Sequence, residues 1–260
     1  MRKMMIAGNW KMHLDVQAAS LLVHRLDKDI KPHRDLEIVL APSLLALQPV
    51  SLEIDRRKFR LAAQNAFHVD EGAYTGEVSF TMLRELVHYV IIGHSERRIY
   101  FGETLDMVRD KVGAAVRNKI TPLLCVGETK HERVAGETRR VIHDQLTSAI
   151  SNLTSEEVED MVIAYEPVWA ISTFGHELAK PDEIEQVFKM IRSEIKELYG
   201  AKAADSVRVL YGGSVDDQIA GGYLALPDCD GVLVGAASLN YKKFTGIVDS
   251  AYRLLHTKEK

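Results

Sequence analysis

The stretch MVIAYEPVWAISTFGHELAKPDEIEQVFKMIRSEIKEL, residues 161–198, contains the unit from which the whole chain is built. It opens with the run Met161–Tyr165, which is apolar almost throughout, as in parallel strands that are covered on both faces. Lys180-Pro181 then opens a helix, whose apolar stripe consists of Ile184, Val187, Phe188, Ile191, Ile195 and Leu198. A buried strand followed by an amphipathic helix is the repeating unit of an α/β fold.

The same unit recurs from end to end. The other apolar runs are Met4–Ala7, Leu36–Leu40, Arg60–Ala63, Tyr89–Ile92, Thr121–Val126, Val207–Tyr211 and Gly231–Val234. After the first of them, Asp15 is placed to cap a helix whose apolar stripe consists of Val16, Ala19, Val23, Leu26 and Ile30. Eight units without a linker or a shift in composition predict a single closed (β/α)8 barrel domain over residues 1–260. An open doubly wound sheet is the alternative, and the regular repeats favour closure.

Composition excludes several classes of partner. The net charge is −4 with both signs interspersed, so neither a nucleic acid nor an anionic membrane surface is expected as a partner. No apolar run approaches the length of a membrane span. Cys125 and Cys229 are the only cysteines and form no C-x-x-C motif, which argues against a disulfide framework. We therefore expect a cytoplasmic protein, for which a small anionic substrate remains possible.

Polar residues and glycines directly follow the predicted strands. In a parallel barrel these positions converge on one rim, where the active sites of such enzymes lie. The residues are Asn9 and Lys11, Gln64 and Asn65, His94, Glu128, Glu166, Gly212-Gly213-Ser214 and Gly235. Each of them alone has an ordinary structural explanation, but their convergence favours a site.

Three of these residues have neighbours suited to chemistry. A lone histidine after a strand is more often structural, but His94 directly precedes a helix start, where the helix dipole favours a neutral imidazole. Glu166 stands among the bulky apolar residues of segment 165–169, which suits a general base better than a solvated carboxylate. Lys11 lies between two apolar residues at a strand end, where a solvated lysine is less expected.

The glycines after the last two strands indicate a phosphate site. Barrels often bind phosphate there through backbone N–H groups, although glycines can also serve only as tight turns. The chain has no Gly-x-Gly-x-x-Gly and no Gly-x-x-x-x-Gly-Lys-Ser/Thr, so a dinucleotide or a nucleoside triphosphate is not expected. The ten histidines are scattered, and His131-Glu132 lacks the second histidine of a zinc site, so we expect no metal.

The motifs that carry these residues resemble those of triosephosphate isomerases over the full length of the chain. They are Ala7-Gly8-Asn9-Trp10-Lys11-Met12, Ile91-Ile92-Gly93-His94-Ser95-Glu96-Arg97-Arg98, Cys125-Val126-Gly127-Glu128, Ala164-Tyr165-Glu166-Pro167-Val168-Trp169-Ala170-Ile171, Tyr211-Gly212-Gly213-Ser214-Val215 and Leu233-Val234-Gly235. The resemblance implies the family's TIM barrel and its reaction, the interconversion of dihydroxyacetone phosphate and glyceraldehyde 3-phosphate in glycolysis and gluconeogenesis. It implies no cofactor, because the reaction only relocates a proton.

The resemblance also implies the roles of individual residues. Glu166 is the base that moves the proton. His94, Lys11 and Asn9 polarise the carbonyl, with Glu96 supporting them. The backbone N–H groups of Ser172, Ser214, Gly235 and Ala236 bind the phosphate. Loop 64–79 is implied to be the arm of a homodimer, with Thr75 reaching the partner's site.

The chain departs from the family pattern in its lid. The usual Ala-Ile-Gly-Thr-Gly-Lys-Thr-Ala becomes a longer segment, residues 170–180, with Ser172 in place of a glycine, and Ala236 replaces another glycine after the last strand. Two other functions stay open on the sequence. One is an isomerase or racemase of a related four-carbon sugar phosphate, and the other is a non-catalytic phosphate-binding barrel.

Overall fold

The computed structural model describes residues 2–175 and 177–258. Within them, parallel strands follow one another around a closed barrel, in which β1 pairs with both β2 and β8. The strands are β1 (Met4–Asn9), β2 (Leu36–Ala41), β3 (Phe59–Ala63), β4 (Tyr89–Ile92), β5 (Thr121–Val126), β6 (Val162–Tyr165), β7 (Arg208–Tyr211) and β8 (Gly231–Val234). The predicted (β/α)8 barrel is confirmed, and each predicted run coincides with a strand to within two residues at its ends.

Helices lie between the strands and cover the outside of the barrel. They are α1 (Val16–Asp29), α2 (Leu44–Glu53), α3 (Phe80–Leu83), α4 (Ser95–Phe101), α5 (Leu105–Arg117), α6 (Lys130–Val134), α7 (Thr138–Ile150), α8 (Ser155–Glu159), α9 (Pro181–Ser206), α10 (Ala220–Leu224) and α11 (Tyr241–Lys258), with 3₁₀ turns at Val168–Ala170 and Ala236–Leu239. Asp15 caps α1 by accepting the N–H of Ala18 at 2.8 Å. The stripe of α9 is buried except for Leu198, which lies beside Gly200, where a φ of 87° interrupts the helix.

Alternate residues of the strands fill the inside of the barrel. The inward residues include Met5, Val39, Leu123, Val162 and Leu210, while their neighbours along each strand pack against the helices. Near the C-terminal ends the inward residues become smaller. These smaller residues are Ala7, Ala41, Ala62, Cys125 and Ala164. The interior is therefore a packed core rather than a pore, and its side chains become smaller in the layer nearest the C-terminal ends of the strands.

The inward alternation continues for one more step past these small residues, at the last residue of β1 and just after the other strands. It places Asn9, Gln64 and Glu166 above Ala7, Ala62 and Ala164. It also places glycines at the corresponding positions of four of the other five strands, namely Gly93, Gly127, Gly212 and Gly235, whereas Ser43 follows β2. Polar side chains and glycines therefore lie in the same layer, directly above the strands. Because glycines have no side chain, they leave room there for the polar groups.

The N-terminal end of the barrel is closed by a charged network. Arg208 donates to Glu37 Oε2 at 2.6 Å, and the Tyr89 hydroxyl donates to the same oxygen at 2.5 Å. Burial alone would raise the pKa of Glu37, but these hydrogen bonds outweigh it and hold the pKa below its usual value. No helix of the described residues has the length and apolar character needed to cross a membrane.

Candidate active site

Glu166 is a buried carboxylate that directly follows β6, with 2% of its surface exposed. Its Oε2 accepts the backbone N–H of Ser95 at 2.9 Å. Its Oε1 lies 3.0 Å from Nε2 of His94, but the alignment is too poor for a hydrogen bond, so within the described residues this oxygen has no hydrogen-bond partner. One oxygen is thus held in place while the other remains available to accept a proton.

His94 caps α4 and thereby fixes its own protonation pattern. Its Nδ1 accepts the backbone N–H of Glu96 at 3.2 Å, so this nitrogen carries no proton. This leaves Nε2, the nitrogen beside Glu166, as the ring nitrogen that can donate. Ser95 is the first residue of α4, and its backbone N–H holds the carboxylate of Glu166.

Lys11 is held in a strained conformation at the end of β1. Its φ of 52° lies in the left-handed region, which costs a non-glycine residue about 1–3 kcal/mol. Two buried or partly buried side chains hold this backbone, because Asn9 Oδ1 accepts the Lys11 N–H at 3.1 Å and Gln64 donates to the Lys11 carbonyl at 2.8 Å. The Lys11 Nζ lies 2.6 Å from Glu96 Oε1, which keeps the ammonium at a fixed position in the site.

One cavity of about 550 Å³ joins these groups to the expected phosphate contacts. It is lined by Asn9, Lys11, His94 and Glu166 together with Ser172, Ser214, Gly235 and Ala236. Neither Ser172 nor Ala236 has a positive φ, so both residues adopt backbone conformations open to any amino acid. The N–H of Ser214 donates to the carbonyl of Ala170 at 3.0 Å, so in this structure the lid occupies that donor.

The lid, residues 170–180, is attached at both ends and exposed at its tip. At its start, Trp169 donates its indole N–H to Glu128 at 2.9 Å. At its end, the Tyr223 hydroxyl donates to the carbonyl of Ala179 at 2.8 Å. Ser172 and Thr173 are exposed, although Ser172 lines the cavity. The Thr173 hydroxyl accepts a hydrogen bond from Lys11 Nζ at 3.4 Å and donates one to Glu96 Oε1 at 3.4 Å, so the tip contacts the site. His176 lies outside the described residues.

The residues that distinguish this lid also have partners. Phe174 contacts the ring of Tyr100 on α4, with ring centroids 5.6 Å apart, and Glu177 forms an ion pair with Lys130 on α6. Gly175 lies directly against the Trp169 carbonyl, where a Cβ would be 2.1 Å from the oxygen, so no other residue fits in this arrangement. The unusual segment is therefore accommodated by specific contacts rather than left unpartnered.

The other two predicted residues have different surroundings. Glu96 lies beside Lys11, within reach to support it. Thr75 lies on the exposed part of loop 64–79, outside the residues that line the main cavity. Among the described residues, no group of three or more His, Cys, Asp or Glu side chains is placed to hold a metal ion.

Sequence reasoning did not assign three contributors. They are the Ser95 backbone N–H, the Gln64 side chain and the space beside Gly212, where a Cβ would lie 2.9 Å from Glu166 Cγ. Gln64 and Gly212 were expected at the rim because they follow β3 and β7, but the sequence did not assign them a role in holding Lys11 or Glu166. The Ser95 donor leaves no trace in side-chain pattern, because any residue but proline supplies a backbone N–H.

A barrel with this site belongs to the enzymes that move a proton on a small phosphorylated substrate. A carboxylate base, a neutral imidazole and an ammonium converge beside glycine-rich loops of the kind that bind phosphate. The model of the family described as triosephosphate isomerase matches residues 4–251. The chain belongs to this family.

Individual relatives cover nearly the whole chain. A protein of Chloroherpeton thalassium named triosephosphate isomerase is 43% identical over 255 residues, which are 96% of this chain and 100% of that protein. Proteins with the same name from Geotalea uraniireducens and Caldanaerobacter subterraneus subsp. tengcongensis are both 44% identical. The first covers 95% of this chain and 98% of its own length, and the second covers 96% and 100%.

Proposed function

We propose that this protein interconverts dihydroxyacetone phosphate and D-glyceraldehyde 3-phosphate by proton transfer through an enediolate. The observation that carries the proposal is the contact between His94 Nε2 and Glu166 Oε1, 3.0 Å apart and within one cavity with Lys11. A base and an acid this close can act on adjacent atoms of one small molecule. That is what moving a proton between neighbouring carbons of a hydroxycarbonyl compound requires.

The steps follow from the positions of the groups. Glu166 removes a proton from the carbon next to the carbonyl, and the electron pair moves onto the carbonyl oxygen. His94 donates a hydrogen bond from Nε2–H to that oxygen, and the Lys11 ammonium and the Asn9 side chain stabilise the negative charge. His94 gives its Nε2 proton to that oxygen and takes up the hydroxyl proton of the neighbouring carbon, whose oxygen becomes the new carbonyl, while Glu166 returns its proton to that carbon. The other triose phosphate forms without any net redox change.

The phosphate and the lid complete the site. We assign phosphate binding to the backbone N–H groups of Ser172, Ser214, Gly235 and Ala236, which line the same cavity as the base. Binding at Ser214 requires the lid to release the donor that Ala170 now holds. A closing lid also excludes water, which protects the enediolate from losing its phosphate.

The decisive experiment replaces the base. Glu166→Gln cannot accept a proton, so we expect kcat to fall by about 10²–10⁴-fold or more while the fold and phosphate binding persist. Glu197→Gln, an equivalent change at an exposed position of α9, serves as the control and should leave kcat unchanged. Erythrose 4-phosphate is assayed beside the triose phosphates. A Glu166→Gln variant within a few-fold of wild type, or a preference for the four-carbon substrate, contradicts the proposal.

We further propose that the active form is a homodimer joined through loop 64–79. Large apolar side chains are exposed around a cavity of about 340 Å³ beside Asn9 and Lys11. They include Met12, 95% exposed, and Phe101, 65% exposed. A partner's Thr75 loop seated there would cover these exposed apolar side chains. Light scattering that shows an active monomer at micromolar concentration would exclude the dimer.

The proposed reaction also indicates the pathway and the compartment in which the protein acts. One TIM-barrel domain over residues 1–260 suffices for it, and the interconversion of triose phosphates belongs to glycolysis and gluconeogenesis. Cys125 and Cys229 are both buried and free, which suits a reducing compartment such as the cytoplasm. Fractionation of the source cells tests this assignment, and recovery outside the cytoplasm would refute it.

A further inference from the structure

Lys243, in the first turn of α11, lines the cavity that contains Glu166 and His94. It lies at the part of the cavity formed by Gly235, Ala236 and Asn240, where the chain leaves β8 and turns into α11. Lys11, the other lysine that lines this cavity, belongs to a different part of the barrel. The cavity therefore has two ammonium groups supplied from separate elements.

The two ammonium groups differ in how far their charge is neutralised. Lys11 is paired with Glu96 at 2.6 Å. Lys243 has no carboxylate oxygen within 4.0 Å in the described part of the chain. Asp216 also lines the cavity, but its Oδ1 accepts the backbone N–H groups of Gln218 and Ile219. Lys243 thus contributes a positive charge that offsets the carboxylate of Asp216 in the same wall.

Two of the first backbone N–H groups of α11 are already engaged within the chain. The side chain of Asn240 already accepts the N–H groups of Lys242 and Lys243, at 3.0 and 3.2 Å. Donors that are used in capping are not available to an anion. The side chain of Lys243 is therefore the group through which this helix can act on a ligand in the cavity.

We propose that Lys243 binds the phosphoryl group of the substrate and is a further binding residue of this site. The inference rests on the proposed function, and it adds a cationic side chain to a phosphate site otherwise assigned to backbone N–H groups. A phosphate dianion leaves water more readily when its charge is balanced, and an exposed lysine on a flexible stem can follow it as the lid moves. The contribution is electrostatic and therefore depends on salt.

Lys242 provides a matched control. It is exposed on the same helical turn and carries the same charge, but it does not line the cavity. For Lys243→Ala we expect KM for glyceraldehyde 3-phosphate to rise about threefold to tenfold at low ionic strength, with a smaller change in kcat. The inhibition constant of inorganic phosphate should weaken by the same factor. Both effects should shrink at about 0.5 M salt, where charges a few ångströms apart are screened.

Further variants separate charge from packing. Lys243→Arg retains the charge and should restore most of the affinity for inorganic phosphate, whereas Lys243→Glu should weaken it more than Lys243→Ala does. Lys242→Ala should behave like the wild type in every assay. If Lys243→Ala and Lys242→Ala give the same KM and the same phosphate inhibition constant at low salt, the inference is wrong.

The two proposals fail in distinguishable ways. If the wild-type protein does not turn over triose phosphates, the proposed function is wrong, and calorimetry with inorganic phosphate alone still measures the role of Lys243. A phosphate affinity that falls in Lys243→Ala and not in Lys242→Ala supports the inference in that case. Equal phosphate affinities of the two variants overturn it whether or not the enzyme is active.

Discussion

Substitution of Gly212 by alanine tests whether the glycine layer above the strands positions the catalytic base. Gly212 does not have a positive φ, so alanine introduces no backbone strain of its own. The added Cβ would lie 2.9 Å from Glu166 Cγ and 3.2 Å from the Tyr165 carbonyl oxygen. The contact with Cγ is shorter than real Cβ atoms show, and the backbone carbonyl beside it cannot move easily.

The size of the effect follows from the overlap. An ordinary van der Waals contact begins at 3.4 Å, so the Glu166 side chain has to move by about 0.5 Å. Misplacement by about 1 Å can cost a factor of about 10² in rate, so half that shift corresponds to roughly tenfold in kcat. Overpacking should also lower the free energy of unfolding by about 1–3 kcal/mol. A coupled assay with glyceraldehyde 3-phosphate gives kcat, and urea unfolding gives the stability.

The control is Gly222→Ala in α10, where a Cβ meets nothing within 4 Å. Alanine is favoured over glycine inside a helix by about 0.5–1 kcal/mol, so this variant should be as active as the wild type and at least as stable. A Gly212→Ala enzyme whose kcat stays within twofold of the wild type would refute the idea that this layer positions the base.

Three further results are expected from the buried groups. Burial raises the pKa of Glu128 above its usual value, although Trp169 and Tyr165 donate hydrogen bonds to it. The stability that Glu128 contributes is therefore complete below its pKa in the unfolded chain and declines as pH rises through its pKa in the folded protein. Urea unfolding from pH 4 to 7 should therefore show Glu128→Gln gaining stability relative to the wild type as pH rises, and a constant difference would count against this. Burial raises the pKa of Cys125 well above its usual value and that of Cys229 to about 12. A thiol reagent at pH 8 should therefore label neither cysteine in the folded protein and both cysteines in denaturant. Rapid labelling of the folded protein would contradict this. Binding of 2-phosphoglycolate, an enediolate mimic, should change the fluorescence of Trp169, whose indole N–H donates to Glu128. It should also protect the lid from proteolysis. If the mimic binds and neither signal changes, the lid does not close.

The fold could be predicted almost completely because it depends on a repeated local signal. Continuous apolar runs such as Thr121–Val126 and Tyr89–Ile92 are typical of strands in a parallel barrel, where both faces of each strand are covered. The missed detail was Leu198, whose apolar character matched the stripe of α9. Its exposure depends on the turn at Gly200, and the stripe pattern gives no indication of that turn.

The candidate site was predictable in its side chains and less so in its backbone contacts. Asn9, Lys11, His94 and Glu166 follow strands in the sequence and line one cavity in the structure. The N–H of Ser95 that holds Glu166 could not be predicted, because backbone donors have no sequence signature. The bond from the expected Ser214 donor to the lid carbonyl of Ala170 could not be predicted either. Such contacts depend on tertiary geometry and on the state of the lid.

This difference explains where the chain can depart from its relatives. The reacting groups act through side-chain atoms, a carboxylate of Glu166, an imidazole of His94 and an ammonium of Lys11, so their chemistry depends on the identity of these side chains. The assigned phosphate contacts are backbone N–H groups, which any residue except proline provides when its φ is compatible. Ser172 and Ala236 occupy positions where the family pattern has glycine, and neither has a positive φ. The departures from the pattern therefore fall at positions where the proposed chemistry does not depend on the identity of the side chain.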